Sequence, residues 1–267
     1  MSHSSDNLTF WDHLDVLRST LMRICIVAVV FMLVAFCFKD EVFAIIFAPR
    51  DTSFPTYRLF DQIAVLMGHT ADASDFAVSL INTELTRQFM VHLQVSLWVG
   101  LLVASPYILV EIFRFVSPAL YSAERRYAVG VTVSGYLMFM FGVALCYFLI
   151  FPLTFRFLGT YQVSNDVTNL ISLESYIDTL TMLTLMMGLM SELPVVGWLL
   201  AKLGFINAGL MRRFRRHAIV GIFIAAAIIT PTTDAMTLCV VALPIMLLYE
   251  LTILIDSRTT ARTEYGI

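Results

Sequence analysis

Charged residues are scarce in this sequence. Asp, Glu, Lys and Arg make up 14% of its 267 residues, whereas a soluble domain carries roughly 25%. The apolar residues, 59% of the chain, form blocks long enough to span a bilayer. The short two-residue alternation of barrel strands is absent. The sequence therefore predicts an integral membrane protein whose spans are helices.

Catalytic and nucleotide-binding motifs are missing as well. The sequence contains no Walker loop, no H-E-x-x-H, no G-x-S-x-G and no aspartate pair within its apolar runs, which argues against an ATPase and an intramembrane protease. No internal repeat of the kind found in secondary transporters is visible. Its four cysteines form no C-x-x-C pair, so no metal, redox site or cofactor is predicted, and we expect them to be small buried residues.

Six apolar runs predict an all-α membrane fold with six transmembrane helices, forming a single membrane domain over residues 1–267. The spans are placed at residues 20–38, 89–113, 127–151, 176–203, 217–230 and 235–254. The fifth and sixth are short, and the fifth covers roughly 21 Å against roughly 30 Å of hydrocarbon. Residues 8–19 carry apolar side chains at helical spacing and predict an amphipathic helix on the membrane surface.

The connections between the spans have their own patterns. Residues 39–88 are polar with apolar pieces, which predicts a folded cap with short helices. Phe151-Pro152 is expected to end the third span, and Pro106 to bend the second. Small residues step along the fourth span and predict close helix packing; they are Thr181, Thr184, Gly188 and Ser191.

The distribution of Lys and Arg predicts the orientation of the chain. Twelve of the seventeen lie in the N-terminal segment, in loops 114–126 and 202–216, and in the C-terminal tail. The two long connections on the other side carry the remaining five. The positive-inside rule therefore places both termini in the cytoplasm.

Glu192 is the carboxylate that lies well inside a predicted span, followed by Pro194. An acid at this depth usually faces the bundle interior or a wet cavity. One interpretation is a contact with a translocated substrate or a partner helix, and the other is a protonated group hydrogen-bonded within the bundle. Glu111 and Glu250 lie near span ends and are expected to reach water among the lipid headgroups.

A polar stretch, Phe115-Val-Ser-Pro-Ala-Leu-Tyr-Ser-Ala-Glu-Arg-Arg126, separates the second and third spans. Its Glu124 has two interpretations. It is either an acid favoured by the dipole at the start of a helix, or a carboxylate presented to a cationic partner, since a carboxylate binds an arginine bidentately. Asp234, in the turn before the last span, is predicted to cap a helix.

This stretch resembles the first cytoplasmic loop of the TatC family, the large subunit of the twin-arginine protein translocase. The matching loop residues are Phe115, Pro118, Leu120, Tyr121, Glu124, Arg125 and Arg126. The segment from His13 to Arg18 is similar to the family motif before the first span. Ser191-Glu192-Leu193-Pro194 and Thr230-Pro231…Asp234, followed by Pro244, are similar to later family motifs.

The resemblance implies a receptor that binds twin-arginine signal peptides and exports folded proteins by using the proton motive force. It implies TatA/TatB-type single-span subunits as partners, a homo-oligomer within the complex, no nucleic acid, and a location in the bacterial inner membrane. It assigns signal-peptide binding to Glu124 and Phe115, with Arg18 and Asp15 from the surface helix.

Three positions depart from the family pattern. The family's second acid falls on Val16, while the acid here is Asp15, about 100° away around a helix. Asp15 is then either the second signal-binding carboxylate or a residue that only faces water. Glu111 stands where a glutamine is expected, and the turn before Asp234 has one extra residue.

Two other functions compete with the translocase. A proton-coupled transporter of small solutes would use Glu192 as the proton carrier. A membrane-embedded enzyme would need a nucleophile with its base, or a metal site, and the sequence offers neither.

Overall fold

The structure is a computed structural model, which describes residues 10–66, 80–116, 128–162, 164, 169–202, 204–230 and 234–264. The described helices are α1 Phe10–Cys37, α2 Lys39–Phe47, α3 Pro55–Leu66, α4 Arg87–Val116, α5 Ala128–Leu145, α6 Phe151–Thr160, α7 Leu173–Met190, α8 Leu193–Lys202, α9 Ala208–Arg213, α10 Arg215–Ile229 and α11 Ala235–Glu264. A 3₁₀ turn, Ala48–Arg50, follows α2, and a π-helical segment, Cys146–Ile150, joins α5 to α6.

Five stretches of the described chain are long and apolar enough to cross a membrane. They are Leu14–Cys37, Arg87–Phe115, Gly130–Thr160, Leu173–Lys202 and Ala235–Ser257. The predicted fifth span forms α10, whose 15 residues measure about 22 Å along the axis. The mostly helical, multi-span fold is confirmed, and α10 is too short to count as a candidate span by length.

The backbone divides into two compact units. Unit 1 comprises Met1–Val42 and His92–Tyr136, and unit 2 comprises Phe43–Val91 and Leu137–Ile267. Each unit is built from chain segments far apart in sequence, because α4 and α5 both pass from one unit to the other. The chain, predicted as a single membrane domain, thus contains two compact units.

In unit 1, α1 packs closely against the antiparallel α4. A Cβ atom on Gly100 would lie 2.6 Å from the backbone nitrogen of Met32, so only glycine permits this approach. The rings of Phe36 and His92 stack with centroids 4.0 Å apart. The predicted surface helix and first span form one continuous helix, Phe10–Cys37; no break separates them.

In unit 2, the stripe of small residues on α7 packs against α5, as the sequence predicts. Gly188 lies against the ring of Phe139, and a Cβ atom on Gly142 would lie 2.5 Å from the carbonyl oxygen of Met187. Ser191 is buried beside Gly142. The predicted fourth span is divided, since α7 ends at Met190 and α8 begins at Leu193.

The third span does not end at Phe151-Pro152, contrary to the sequence-based expectation. Pro152 occupies the first turn of α6, directly after the π-helical segment. Because proline has no N–H, the carbonyl of Phe148 lacks its usual helical donor. The hydroxyl of Thr56 donates to that carbonyl instead, and the helix continues to Thr160 through the π-helical segment.

Tyrosine hydroxyls join the cap, residues 43–66 of unit 2, to the neighbouring helices. The hydroxyl of Tyr57 lies within hydrogen-bond distance of the carbonyls of Pro49 (2.9 Å) and Pro152 (3.2 Å). The hydroxyl of Tyr147 donates to the carbonyl of Ile45 at 2.6 Å, and that of Tyr176 donates to the carbonyl of Ile46 at 2.8 Å. Carbonyls near the end of a helix such as α2 lack intrahelical partners. The tyrosines satisfy them, and the described part of the predicted cap does contain short helices, α2 and α3.

The two long connections of unit 2 also pair with each other. Strand β1, Leu80–Ile81, runs parallel to β2, Ile171–Ser172, a pairing that the all-α prediction missed because two-residue strands leave no periodic signal. Arg87, at the start of α4, forms an ion pair with Glu174 and lies 3.9 Å from Asp178 on α7.

The cysteines differ from the expectation. Cys146 is buried, whereas Cys25, Cys37 and Cys239 are exposed, and all four are free thiols. A span can present a cysteine to lipid as readily as it presents a leucine, so apolar surroundings in the sequence did not imply burial in the protein.

Candidate functional site

The predicted loop site is only partly covered by the described residues. Phe115 is half-buried in the last turn of α4. Six predicted site residues lie outside the described part of the chain: Pro118, Leu120, Tyr121, Glu124, Arg125 and Arg126. Their roles stay predictions.

The first turns of α1 present the other predicted signal-binding residues. Asp15 and Arg18 are both exposed, and so is Val16, at 42%. The acid of this chain, Asp15, stands one residue before the position of the family's acid, yet its side chain is exposed at the surface of α1.

Glu111 does not face headgroup water, contrary to the sequence-based expectation. Its side chain is 2% exposed and lies between two arginines. Its Oε1 accepts a hydrogen bond from Nη1 of Arg114 at 3.1 Å, and its Oε2 is 3.4 Å from Nη2 of Arg23 on α1. We call Glu111, Arg23 and Arg114 the unit 1 charge cluster.

Arg23 is fixed from its own helix as well. Its Nε donates to the carbonyl of Ser19 at 3.3 Å, and its Nη2 donates to the hydroxyl of Thr20 at 3.4 Å. Sequence reasoning missed Arg23, because a contact between helices 88 residues apart leaves no local signal. The i,i+3 spacing of Glu111 and Arg114 was readable in the sequence.

Glu192 lies in the break between α7 and α8, within unit 2. Its backbone N–H donates to the carbonyl of Leu189 at 3.1 Å, and its carbonyl accepts from Val195 and Val196. Pro194 is buried in the first turn of α8. Among the described residues, no side chain or backbone group forms a hydrogen bond with the buried Oε1 of Glu192.

Asp234 caps the last helix, as the sequence predicts. Its Oδ1 accepts a hydrogen bond from the backbone N–H of Thr237 at 2.7 Å. This satisfies one of the free N–H groups of the first turn of α11.

A second charged contact joins α10 to α11 within unit 2. Nε and Nη2 of Arg215 each lie 2.8 Å from a carboxylate oxygen of Glu250, which is the bidentate geometry of an arginine–carboxylate pair. The hydroxyl of Tyr249 donates to the carbonyl of Met211 at 2.9 Å. The side chain of Glu250 is 44% exposed, and its contact with headgroup water stays a prediction.

The described residues contain no group of three or more His, Cys, Asp or Glu side chains placed to hold a metal ion.

Residues 12–244 match the family model described as Sec-independent protein translocase protein (TatC). The chain belongs to the TatC family. A TatC relative from Aquifex aeolicus is 32% identical over 95% of this chain and 96% of its own. Another TatC, from Desulforapulum autotrophicum, is 31% identical over 95% of this chain and 86% of its own.

A solved structure, described as the crystal structure of the twin arginine translocase receptor TatC, has the same fold. It superposes with a TM-score of 0.75 at 32% identity, covering 93% of this chain and 99% of the other. Together with the candidate spans, membership of the TatC family makes this chain a multi-pass membrane protein that acts in protein transport.

Proposed function

We propose that this chain is the receptor subunit of a twin-arginine translocase. It binds the paired arginines of signal peptides on its cytoplasmic face. With TatA/TatB-type single-span partners, and as a homo-oligomer, it exports folded proteins across a bacterial inner membrane by using the proton motive force. The proposal includes six spans, with α10 as the short fifth one, and both termini in the cytoplasm.

One observation carries the proposal. The TatC loop motif continues directly from α4, whose last turn holds Phe115, and unit 1 also exposes Asp15 and Arg18 at the start of α1. The acids Glu124 and Asp15 would each accept a guanidinium, and a carboxylate recognises the planar arginine fork better than the lysine ammonium.

The test is cross-linking of the full-length chain, in nanodiscs, to a twin-arginine signal peptide and to the same peptide with a Lys-Lys pair. We expect strong labelling by the arginine peptide only, and loss of that labelling in Glu124→Ala. Glu41→Ala, an exposed carboxylate of α2, is the matched control and should label normally. Equal labelling by both peptides, or normal labelling in Glu124→Ala, contradicts the proposal.

The same assay assigns Asp15. If Asp15 is the second signal-binding carboxylate, Asp15→Ala weakens labelling by the arginine peptide. If Asp15 only faces water, labelling is unchanged.

A second candidate function is proton-coupled transport of a small solute. The buried Oε1 of Glu192 supports it, because an intramembrane carboxylate oxygen that has no hydrogen-bond partner among the described residues can accept a proton. In the translocase, the same group would contact the signal or a partner helix. Solute uptake by vesicles that contain this chain alone, abolished by Glu192→Gln, would favour the transporter.

A further inference from the structure

One buried carboxylate in unit 1 is shared between two arginines whose side chains are partly exposed. Glu111 is 2% exposed, whereas the side chains of Arg23 and Arg114 are 46% and 66% exposed. Both carboxylate oxygens face a guanidinium, one each. Glu111 is therefore occupied by the protein's own arginines, and an incoming ligand does not reach it directly.

The cluster carries a net charge of +1, since two arginines outnumber one glutamate. Removing the charge of Glu111 would leave +2 on two half-exposed guanidinium groups. A buried charge is screened by salt much less than an exposed one, so Glu111 reduces the positive field that these arginines project.

The cluster lies beside the residues that the proposed function assigns to signal binding. Arg114 directly precedes Phe115 on α4, and Arg23 lies five residues after Arg18, about 7.5 Å along the axis of α1. Like charges opposed across an interface weaken binding. A ligand with two arginines would meet this repulsion wherever it docks on these turns.

We propose that Glu111 determines the affinity for cationic signal peptides by offsetting the charge of Arg23 and Arg114, without contacting the peptide. The inference rests on the proposed function. Glu111 is thus a residue that acts through others: it holds two arginines in place and sets the charge that the ligand encounters.

A series of charge variants tests the inference. Glu111→Gln keeps the side-chain shape and raises the cluster charge to +2, Arg114→Gln lowers it to 0, and the double variant restores +1. The readout is the dissociation constant of a fluorescent twin-arginine peptide for the full-length chain in nanodiscs, measured by anisotropy at low and high salt.

We expect Glu111→Gln to weaken binding roughly threefold to tenfold at low salt, and the loss to shrink at high salt. The double variant should return to within about twofold of the unaltered chain, because the charge count is the same. Arg114→Gln should bind at least as tightly as the unaltered chain. A merely structural role for Glu111 predicts no rescue by a second substitution.

Two further variants serve as controls. Glu111→Asp keeps the charge and should bind much more tightly than Glu111→Gln even if packing suffers. Arg213→Gln, an exposed arginine of α9, lowers the net charge of the chain as Arg114→Gln does but lies outside the cluster, so it should leave the affinity unchanged.

The outcomes separate the two proposals. If the unaltered chain fails to bind the peptide, the proposed function and this inference both fall. If it binds and prefers arginine over lysine, but Glu111→Gln binds equally well or the double variant stays weak, the inference alone is overturned.

Discussion

The unit 1 charge cluster and the cap of unit 2 hold buried polar groups by different chemistry. In the cluster, a buried carboxylate is held by two arginines. In the cap, backbone carbonyls accept neutral hydroxyls from tyrosines and a threonine. Neutral bonds fix geometry and project little field, whereas the charged cluster leaves one positive charge uncompensated. If the proposed function holds, the neutral bonds of the cap serve folding, whereas the charge left in the cluster of unit 1 acts on the ligand.

The largest effect on stability should come from filling the close contact of α5 with α7 in unit 2. Gly142→Val forces a side chain against the carbonyl of Met187, and overpacking of this kind costs about 1–3 kcal/mol or more. Thermal unfolding in detergent measures it. Gly221→Ala, whose added Cβ meets no atom of the described residues within 4 Å, is the control and should unfold near the original temperature.

Removing a single hydroxyl from the cap should cost less. Tyr176→Phe leaves the carbonyl of Ile46 without its donor, and an unsatisfied buried carbonyl costs about 1–3 kcal/mol. The variant should unfold at a lower temperature but bind the signal peptide normally. If Tyr176→Phe is as stable as the unaltered chain but binds the peptide more weakly, the distinction between the cap and the charge cluster is contradicted.

High pH should weaken the cap through Tyr57. Burial raises the pKa of Tyr57 to about 12, from roughly 10 in an unfolded chain. A raised folded pKa gives stability that is present below pH 10 and is lost as the pH rises towards 12. Between pH 10 and 12, the free energy of unfolding of the unaltered chain should therefore fall more than that of Tyr57→Phe. Unfolding of both proteins at a fixed denaturant concentration across this pH range measures the difference. Parallel losses in the two proteins contradict this assignment.

The smallest effect concerns the exposed pair of α10 and α11. Arg215→Lys loses the bidentate geometry with Glu250, and a pair this exposed contributes at most about 1 kcal/mol. The unfolding temperature should fall slightly, and more at low salt than at high salt. A large loss would show that charge stabilises unit 2 as well.

The sequence predicted the membrane fold and the packing face of α7, because apolar blocks and small residues at helical spacing are local signals. It also predicted the cap on α11 from Asp234. It failed at Phe151-Pro152, since the donor that rescues the Phe148 carbonyl, Thr56, is 92 residues away. Glu111 was misjudged for the same reason: its burial depends on Arg23, which another helix supplies.

The π-helical segment Cys146–Ile150 also decides which face α6 presents. Its i→i+5 hydrogen bonds enclose one residue more than the i→i+4 bonds of an α-helix, so the wide turn takes up an extra residue within the helix. In that orientation, Phe151 and Phe155 both pack edge-on against Tyr176, with centroids 5.1 and 5.0 Å apart. Because the wide turn takes up the extra residue, deleting one residue here should restore an ordinary α-helical turn and leave both rings facing their partner. At this point the chain can lose one residue without a change in the face that α6 presents.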